Sequence, residues 1–316
     1  MASYIVKRLL SLIPVLLTVS IVVFLIIHFI PGDPAAVMLG SQATSEQLEV
    51  MRQEMGLNEP LLVQFSIWFM NMIKGDLGTS LVSGQTVLSL IADRLPATLN
   101  LIIYAITISI LIAIPLGVLA AVKHNSSVDF ASMLVALIGI SIPNFWAALI
   151  LIMVFSLNLG LFPSTGYISF TENFFQNIQH LALPAFSLGF IQAGIITRMT
   201  RSSMLDVLRQ DYIRMVKAKG APPFRVIFRH GLKNAMVPII TIIGINFGLL
   251  LGGTVVVESI FSIPGIGQLM IQSVLNRDYP VIQGIILVIA TIYVFITLIV
   301  DLLYTYFDPK INYSKG

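Results

Sequence analysis

The sequence of 316 residues has no cysteine and few charged residues. The absence of cysteine excludes disulfides and thiolate-based metal or redox chemistry. Charged residues make up 10% of the chain and hydrophobic residues 57%. Because so few charges do not coat a soluble surface of this size, we expect an all-α protein that is embedded in a lipid bilayer.

Signatures of ATP-binding proteins and hydrolases are missing as well. The sequence contains no G-x-x-x-x-G-K-[ST] phosphate loop and no G-x-G-x-x-G dinucleotide turn, so it has no visible means of binding ATP. It also lacks H-E-x-x-H and G-x-S-x-G, and its four histidines have no ligand spacing. We therefore expect no catalytic residues, no directly bound cofactor and no metal.

Six apolar segments are candidates for membrane spans, because about 20 residues cross a hydrocarbon core roughly 30 Å thick. They are Leu9–Ile30, Ala97–Val122, Ala131–Leu157, Leu181–Thr197, Ala235–Val257 and Val281–Val300. Pro115, Pro143 and Pro184 lie inside or at the edge of these spans, where membrane helices tolerate proline. Kinks around a pathway and kinks that only improve packing both fit this pattern. No charged residue lies well inside a predicted span.

The predicted spans divide the chain into four parts. Residues 1–30 form an N-terminal segment with the first span, 31–95 an extracytoplasmic helical subdomain, 96–307 a five-helix membrane core, and 308–316 a cytoplasmic tail. Thr44 and Gln47 make a capping box that predicts a helix in the subdomain. Pro60 opens a second, amphipathic helix that either lies on the membrane interface or packs over the spans.

The distribution of lysine and arginine predicts the orientation. Both termini, the short loop at Lys123 and the segment 198–234 together hold 14 of the 18 basic residues. Because basic loops stay on the cytoplasmic side, both termini are expected in the cytoplasm. An even number of spans agrees with this arrangement.

The segment 198–234 is a polar island that carries half of the chain's basic residues. Tyr212–Lys219 has helix-forming composition, Gly220 can turn the chain, and Pro222 and Pro223 suit the first turn of a second short helix. Apolar side chains beside basic ones would fill a groove on a cytoplasmic partner. A basic loop that rests on anionic lipid head groups is the alternative.

A glycine stripe marks the fifth predicted span. Gly244, Gly248 and Gly252 recur every four residues, so one helix face allows a neighbouring helix to approach closely. The spacing leaves open whether that helix belongs to this chain or to another subunit.

Seven segments in order resemble the inner-membrane permease subunits of bacterial ABC importers for di- and oligopeptides, glutathione and nickel. The resemblance runs nearly end to end, and seven segments in this order are very specific. The segments are FIPGDP (29–34), MGLNEPL (55–61), GDLGTS (75–80), DYIRMVKAKG (211–220), HGLKNAMVPIIT (230–241), VVVESIFSIPGIG (255–267) and RDYPVIQG (277–284).

The resemblance implies a type I importer permease fold of six transmembrane helices with a cytoplasmic coupling-helix loop. It implies a homologous second permease, two ATPases that hold ATP and Mg, an extracytoplasmic binding protein that delivers peptide, and no nucleic acid. The segment around Gly220 looks like the loop that docks into an ATPase cleft. The residues that the resemblance assigns to this coupling loop are Asp211, Tyr212, Ile213, Arg214, Val216, Lys217, Ala218, Lys219, Gly220, His230, Leu232 and Asn234.

The match to the family motif in this loop is partial. Gly220 and Leu232 hold the places of its glycine and leucine, whereas Arg214 stands where the wider superfamily has glutamate and Lys233 where it has proline. The salt bridge of that glutamate is therefore not expected. Glutathione and nickel remain alternative substrates, and pore-lining residues do not follow from hydropathy.

Two other classes of protein are weighed against an importer subunit. An ATP-independent channel or secondary carrier would need an internal repeat with broken helices and ion ligands at mid-membrane, and an intramembrane enzyme would need paired catalytic groups inside spans. The sequence shows neither pattern.

Overall fold

The computed structural model describes residues 2–29, 34–39, 43–54 and 56–307. Within these ranges the regular secondary structure is helical, loops and turns join the helices, and one isolated β-bridge links Thr79 and Thr86. The predicted tail 308–316 and most of the FIPGDP segment lie outside the described residues. The helices are α1 (Ala2–Phe29), α2 (Pro34–Leu39), α3 (Ser45–Glu54), α4 (Leu61–Ile73), α5 (Val87–Val122), α6 (Ser127–Ser141), α7 (Asn144–Leu151), α8 (Phe174–Leu208), α9 (Asp211–Ala218), α10 (Lys233–Ile260), α11 (Ile266–Leu275) and α12 (Tyr279–Phe307).

The chain folds into two compact units. The first unit comprises residues 1–96 and 265–294, and the second comprises 97–264 and 295–316. The sequence interpretation divided the chain in linear order instead, and that division stays a prediction. Residues 265–294 belong to the first unit although they are far from residues 1–96 in sequence. No local sequence pattern predicts this association.

Among the described residues, four continuous helices are long and apolar enough to cross a membrane. They are 87–122, 174–208, 225–260 and 279–304. The segment predicted as the short span Leu181–Thr197 is part of α8, which has 35 residues and keeps Pro184 inside. α6 and α7, with its π-helical continuation 152–158, form a fifth candidate that bends by 101°.

Pro143 explains the bend between α6 and α7. A proline disfavours helical geometry at the residue before it, and Ile142 has φ −86° and ψ 123°, which is extended. The third predicted span is therefore broken where the sequence places Pro143, and the second half starts with Pro143 as its N-cap.

The first unit contains the helices of the predicted subdomain. The capping box forms as predicted, because the Gln47 backbone N–H donates to Thr44 Oγ1 and the Thr44 N–H donates to Gln47 Oε1. α4 begins after Pro60 and packs on α1, with the Phe24 and Phe65 ring centroids 5.3 Å apart. These ring contacts favour packing over the spans for α4.

Two of the segments that carry the family resemblance meet in the first unit. Asp278, from RDYPVIQG, is buried and accepts hydrogen bonds from the Ser80 hydroxyl and the Leu81 backbone N–H, in and beside GDLGTS. The apolar core beside them consists of Val87, Ile91, Ile266, Leu269, Val281 and Ile285. A buried carboxylate that accepts several hydrogen bonds fixes the loop that provides them.

α8 is the centre of the second unit. It contacts α6, α7 and α10, and 67% of its most apolar window is buried, against 39% or less in the other continuous candidate spans. Glycines make this packing possible. A Cβ atom at Gly189 would lie 2.5 Å from the Ala105 carbonyl oxygen, and one at Gly194 would lie 2.5 Å from the Ala136 oxygen.

Candidate functional site

The candidate site is the loop that joins α8 to α10, and its central element is α9. α8 ends at Leu208, and α9 begins at Asp211 after two intervening residues. Asp211 in the first turn and Lys217 in the last turn both suit the helix dipole. α9 is therefore a short helix that its own sequence favours.

The faces of α9 differ. Ile213 is fully buried, whereas Tyr212 is 38% and Met215 58% exposed. Arg214 lies on the exposed side, and its pair with Asp211 at 3.5 Å is open to water, with the two side chains 77% and 95% exposed. One buried anchor thus leaves an apolar and basic surface uncovered.

Gly220 ends this helix in a left-handed conformation. Its φ is +79°, and its N–H donates to the Lys217 carbonyl oxygen at 2.9 Å. A Cβ atom at Gly220 would meet nothing within 4 Å. The need for glycine is therefore conformational, because β-branched residues avoid positive φ. This confirms the predicted turn.

The second short helix of the prediction does not exist as a separate element. Helical structure starts at Pro223, runs through a π-helical segment at 225–232, and continues without a break into α10. The prolines do start a helix, but nothing in the segment 224–234 stops it. The loop consequently contains one short helix, α9, and the N-terminal end of a long one.

A hydrogen-bond cluster ties α9 to the start of that long helix. The Tyr212 hydroxyl donates to the His230 carbonyl oxygen at 3.1 Å. The Asn234 side-chain amide donates to the Tyr212 oxygen at 3.0 Å and to the same carbonyl at 2.8 Å. These hydrogen bonds connect α9 with the first turn of α10.

The other predicted loop residues, and the side chains of His230 and Asn234, differ in exposure. Val216, His230 and Leu232 are partly buried, whereas Lys217, Ala218, Lys219 and Asn234 are exposed. Phe224 and Phe228 add an exposed aromatic pair with ring centroids 4.6 Å apart. A cavity of about 440 Å³ next to α9 is lined by residues that include Leu208, Lys217, Pro223 and Ile227.

The sequence interpretation missed an ionic cluster at the start of α6. Arg201, on α8, donates from Nε to Asp129 Oδ1 at 2.6 Å and from Nη2 to Oδ2 at 2.7 Å. The Nδ1 atom of His124 lies 3.1 Å from Arg201 Nη2. This bidentate pair holds α8, which leads into α9, against the first turn of α6.

Two family models match the chain. One, described as "Binding-protein-dependent transport system inner membrane component", matches residues 113–313, which include the whole loop around α9. The other, the N-terminal part of the same kind of membrane component, matches residues 1–102.

The chain belongs to this family of transport permeases.

Relatives of the permease extend over its full length. It is 45% identical to a dipeptide transport system permease protein of Alkalihalophilus pseudofirmus and 46% identical to an oligopeptide transport system permease protein of Bacillus subtilis. It is 44% identical to a glutathione transport system permease protein of Escherichia coli. Each alignment covers 99% of the permease and 100% of the relative.

Solved structures support the fold of the permease. Its structure is similar to an inward-facing structure of the MetNI methionine ABC transporter, with a TM-score of 0.58. The match covers 70% of the permease and 97% of that chain at 18% identity. At this identity the similarity shows a shared fold and nothing about substrate.

The three predicted stripe glycines of the permease have different surroundings. A Cβ atom at Gly244 would lie 2.5 Å from Val300 Cγ2 in α12, so at this position α10 approaches another helix of the same chain. At Gly252 a Cβ atom would meet nothing within 4 Å, and Gly248 is partly buried.

The permease also carries a buried carboxyl that the sequence interpretation overlooked. Glu258 is fully buried in α10 and accepts a hydrogen bond from the Thr98 hydroxyl at 2.7 Å. The fifth span was predicted to end at Val257, whereas α10 continues to Ile260. No charged residue was expected well inside a span, and Glu258 lies one residue beyond the predicted end of the fifth span, where it could have been noted as an acid beside an apolar run.

Proposed function

We propose that this permease forms half of the translocation pathway of an ATP-driven importer of short peptides, and that α9 couples it to an ATPase. The observation that carries the coupling role is the structure of α9: Ile213 anchors it, Gly220 ends it, and Tyr212 joins it to α10. The full-length relatives named for dipeptide and oligopeptide transport support the substrate class.

The proposed complex has four kinds of partner: a homologous second permease, two cytoplasmic ATPases, an extracytoplasmic binding protein and the lipid bilayer. The ATPases hold ATP and Mg, and this chain supplies no catalytic group. The exposed basic and aromatic surface of α9 and Phe224 suits a cleft with acidic and apolar residues. The chain itself has no phosphate-loop motif that would bind ATP.

The proposed topology has six spans with both termini in the cytoplasm. α1 has 28 residues, which at 1.5 Å per residue makes it roughly 42 Å long, longer than a hydrocarbon core of roughly 30 Å. Counting α1 and the bent pair α6–α7 as spans gives six. The basic loop around α9 then lies in the cytoplasm, as the charge distribution requires.

The proposed mechanism moves α9 as a lever. Closure of the ATPases shifts α9, and the Tyr212–His230–Asn234 cluster passes this shift to α10. The Arg201–Asp129 pair keeps the end of α8 in contact with α6 during the movement. ATP binding on the cytoplasmic side and the binding protein on the extracytoplasmic side then shift the same equilibrium between two arrangements of the spans.

Co-purification of two matched variants tests the coupling role of α9. Met215 and Val82 are both 58% exposed, but Met215 lies on α9 and Val82 in the predicted extracytoplasmic subdomain. We expect the C-terminally tagged wild type, extracted in mild detergent, to recover a second permease and two ATPases. Met215→Glu should lose the ATPases and keep the second permease, because a carboxylate disrupts an apolar contact.

The control variant and the opposite results are equally specific. Val82→Glu should recover all partners in the wild-type ratio. Retention of the ATPases by Met215→Glu would show that α9 is not the docking helix. Recovery of the wild type alone, with transport activity, would instead favour a self-sufficient carrier.

Glutathione is a second candidate substrate, favoured by the relative from Escherichia coli. Competition separates the two candidates. If peptide is the substrate, an excess of dipeptide should inhibit uptake of a labelled dipeptide, and the same excess of glutathione should not. Inhibition by glutathione alone would assign the system to that substrate. Nickel stays an alternative from the family resemblance only.

A further inference from the structure

A cavity of about 500 Å³ opens between α6, α8 and α10 in the second unit. This volume lies in the range of small-molecule sites. Methionine is unbranched and adapts its shape to different neighbours. The walls therefore suit apolar groups of variable shape. The apolar lining consists of Met133, Ile140, Ile195, Met199 and Ile242.

The polar part of the same cavity consists of Arg198, Arg201 and Ser202, all on α8. Arg198 and Arg201 are three residues apart, so both reach one side of the helix, and both line the cavity. Arg201 is satisfied by its bidentate pair with Asp129. Arg198 is exposed and has no hydrogen bond or ion pair to any described residue. One free guanidinium thus faces a mainly apolar cavity.

A guanidinium presents its N–H donors in a planar fork that matches a carboxylate in two parallel hydrogen bonds. Such a pair is stronger next to apolar walls, where water competes less. A short peptide has groups that complement both parts of the cavity. Its C-terminal carboxylate can pair with the free guanidinium, and its variable side chain can pack against the apolar walls. The cavity volume fits a molecule of that size better than a lipid with two acyl chains.

We propose that Arg198 binds the C-terminal carboxylate of a peptide in transit, while the methionine and isoleucine walls hold the neighbouring side chain. The inference rests on the proposed function, peptide import, and adds to it a residue of this chain that contacts substrate. Selection by the permease is then for a free C-terminus and not for one side chain.

Binding of a dipeptide and its amide tests this site. The nucleotide-free complex of this permease with its partner permease and ATPases is placed in phosphatidylcholine nanodiscs, without the binding protein. The probes are alanyl-methionine and alanyl-methionine amide. We expect the wild type to bind the free acid about tenfold more tightly than the amide, as for hydrogen bonds to a charged group. Arg198→Gln should abolish that difference.

Further variants control for charge and folding. Arg198→Lys should retain part of the preference, because it keeps the charge but not the fork. Lys123→Gln removes a charge from an exposed site outside the cavity and should leave the preference unchanged. Equal binding of acid and amide by the wild type, or the same preference in Arg198→Gln, would overturn the proposal.

Two added measurements separate this inference from its alternatives. If nanodiscs that contain phosphatidylglycerol abolish peptide binding, or if the Arg198→Gln effect appears only with that lipid, Arg198 is a lipid head-group site and the proposal is wrong. ATP-dependent dipeptide uptake is measured on the same preparation with the binding protein. Uptake without an Arg198 effect on binding overturns the inference alone, whereas absence of any peptide uptake overturns the proposed function.

Discussion

Gly220 is the residue on which the path of the chain after α9 depends. It adopts φ +79°, and an added Cβ atom would meet nothing within 4 Å. The residues tolerated here are therefore limited by the backbone conformation and not by steric contacts with neighbours. Gly220→Val should cost about 1–2 kcal/mol at this position and change the direction in which the chain leaves α9. We expect ATP hydrolysis to persist and peptide transport to fall several-fold, measured together in the reconstituted complex.

The matched control for this prediction is Gly220→Asn. Asparagine tolerates positive φ far better than valine, so it should keep most of the coupling between hydrolysis and transport. Equal transport by the valine variant and the wild type would mean that this turn has no role in coupling.

The ion pair of Arg201 leads to a prediction about the stability of the protein. Its pair with Asp129 is bidentate, and its side chain is 25% exposed. Arg201→Gln should lower the free energy of unfolding by about 2 kcal/mol, as expected for hydrogen bonds between charged groups, and lower the Tm of the purified complex. Arg214→Gln breaks a pair that is almost fully exposed and should leave Tm unchanged. A similar Tm loss in both variants would contradict this account.

These residues show which parts of the site can be predicted from sequence. Gly220 and the helix before it are local signals, and both were predicted correctly. The Arg201–Asp129 pair joins residues 72 positions apart, so no periodicity or spacing indicates it. The same holds for Thr98 and Glu258, which are 160 positions apart.

At the scale of elements, α8 is held between its neighbours by glycines that have no room for a side chain. A Cβ atom at Gly189 would lie 2.5 Å from the Ala105 oxygen, so Gly189→Ala forces α5 and α8 apart. We expect a loss of about 1–3 kcal/mol, seen as a lower Tm of the complex.

Gly253→Ala is the control for that substitution. A Cβ atom there would approach its nearest neighbour, the Asn144 side-chain nitrogen, only to 3.9 Å, and alanine favours a helix over glycine by roughly 0.5–1 kcal/mol. Its Tm should be equal to or higher than that of the wild type. A drop as large as that of Gly189→Ala would contradict the packing of α8.

The ends of the helices were harder to predict than their existence. Capping at Thr44 and the helix start after Pro60 follow from local chemistry and agree with the structure. A kink was considered equally at Pro115, Pro143 and Pro184, and of these three prolines only Pro143 lies at a break in a helix. The separate second helix after Pro223 was wrong because two prolines signal a start and give no information about an end. The span around Pro184 was predicted too short because α8 continues through polar residues that packing, not hydropathy, keeps helical.

For the whole molecule, composition and charge predict a helical membrane protein, and the family match confirms that class. They do not predict the two compact units, since the return of residues 265–294 depends on contacts such as Asp278 with Ser80. The six-span topology and the complex with a second permease, ATPases and a binding protein stay proposals.

The central claim is that this permease imports peptides only when ATPases drive it through α9. Its most direct measurement is uptake of a labelled dipeptide into proteoliposomes that contain the complete complex and the binding protein, with and without ATP. The account predicts uptake with ATP, none without it, and a strong loss in Met215→Glu but not in Val82→Glu. Uptake by this permease without ATPases, or undiminished uptake in Met215→Glu, would contradict it.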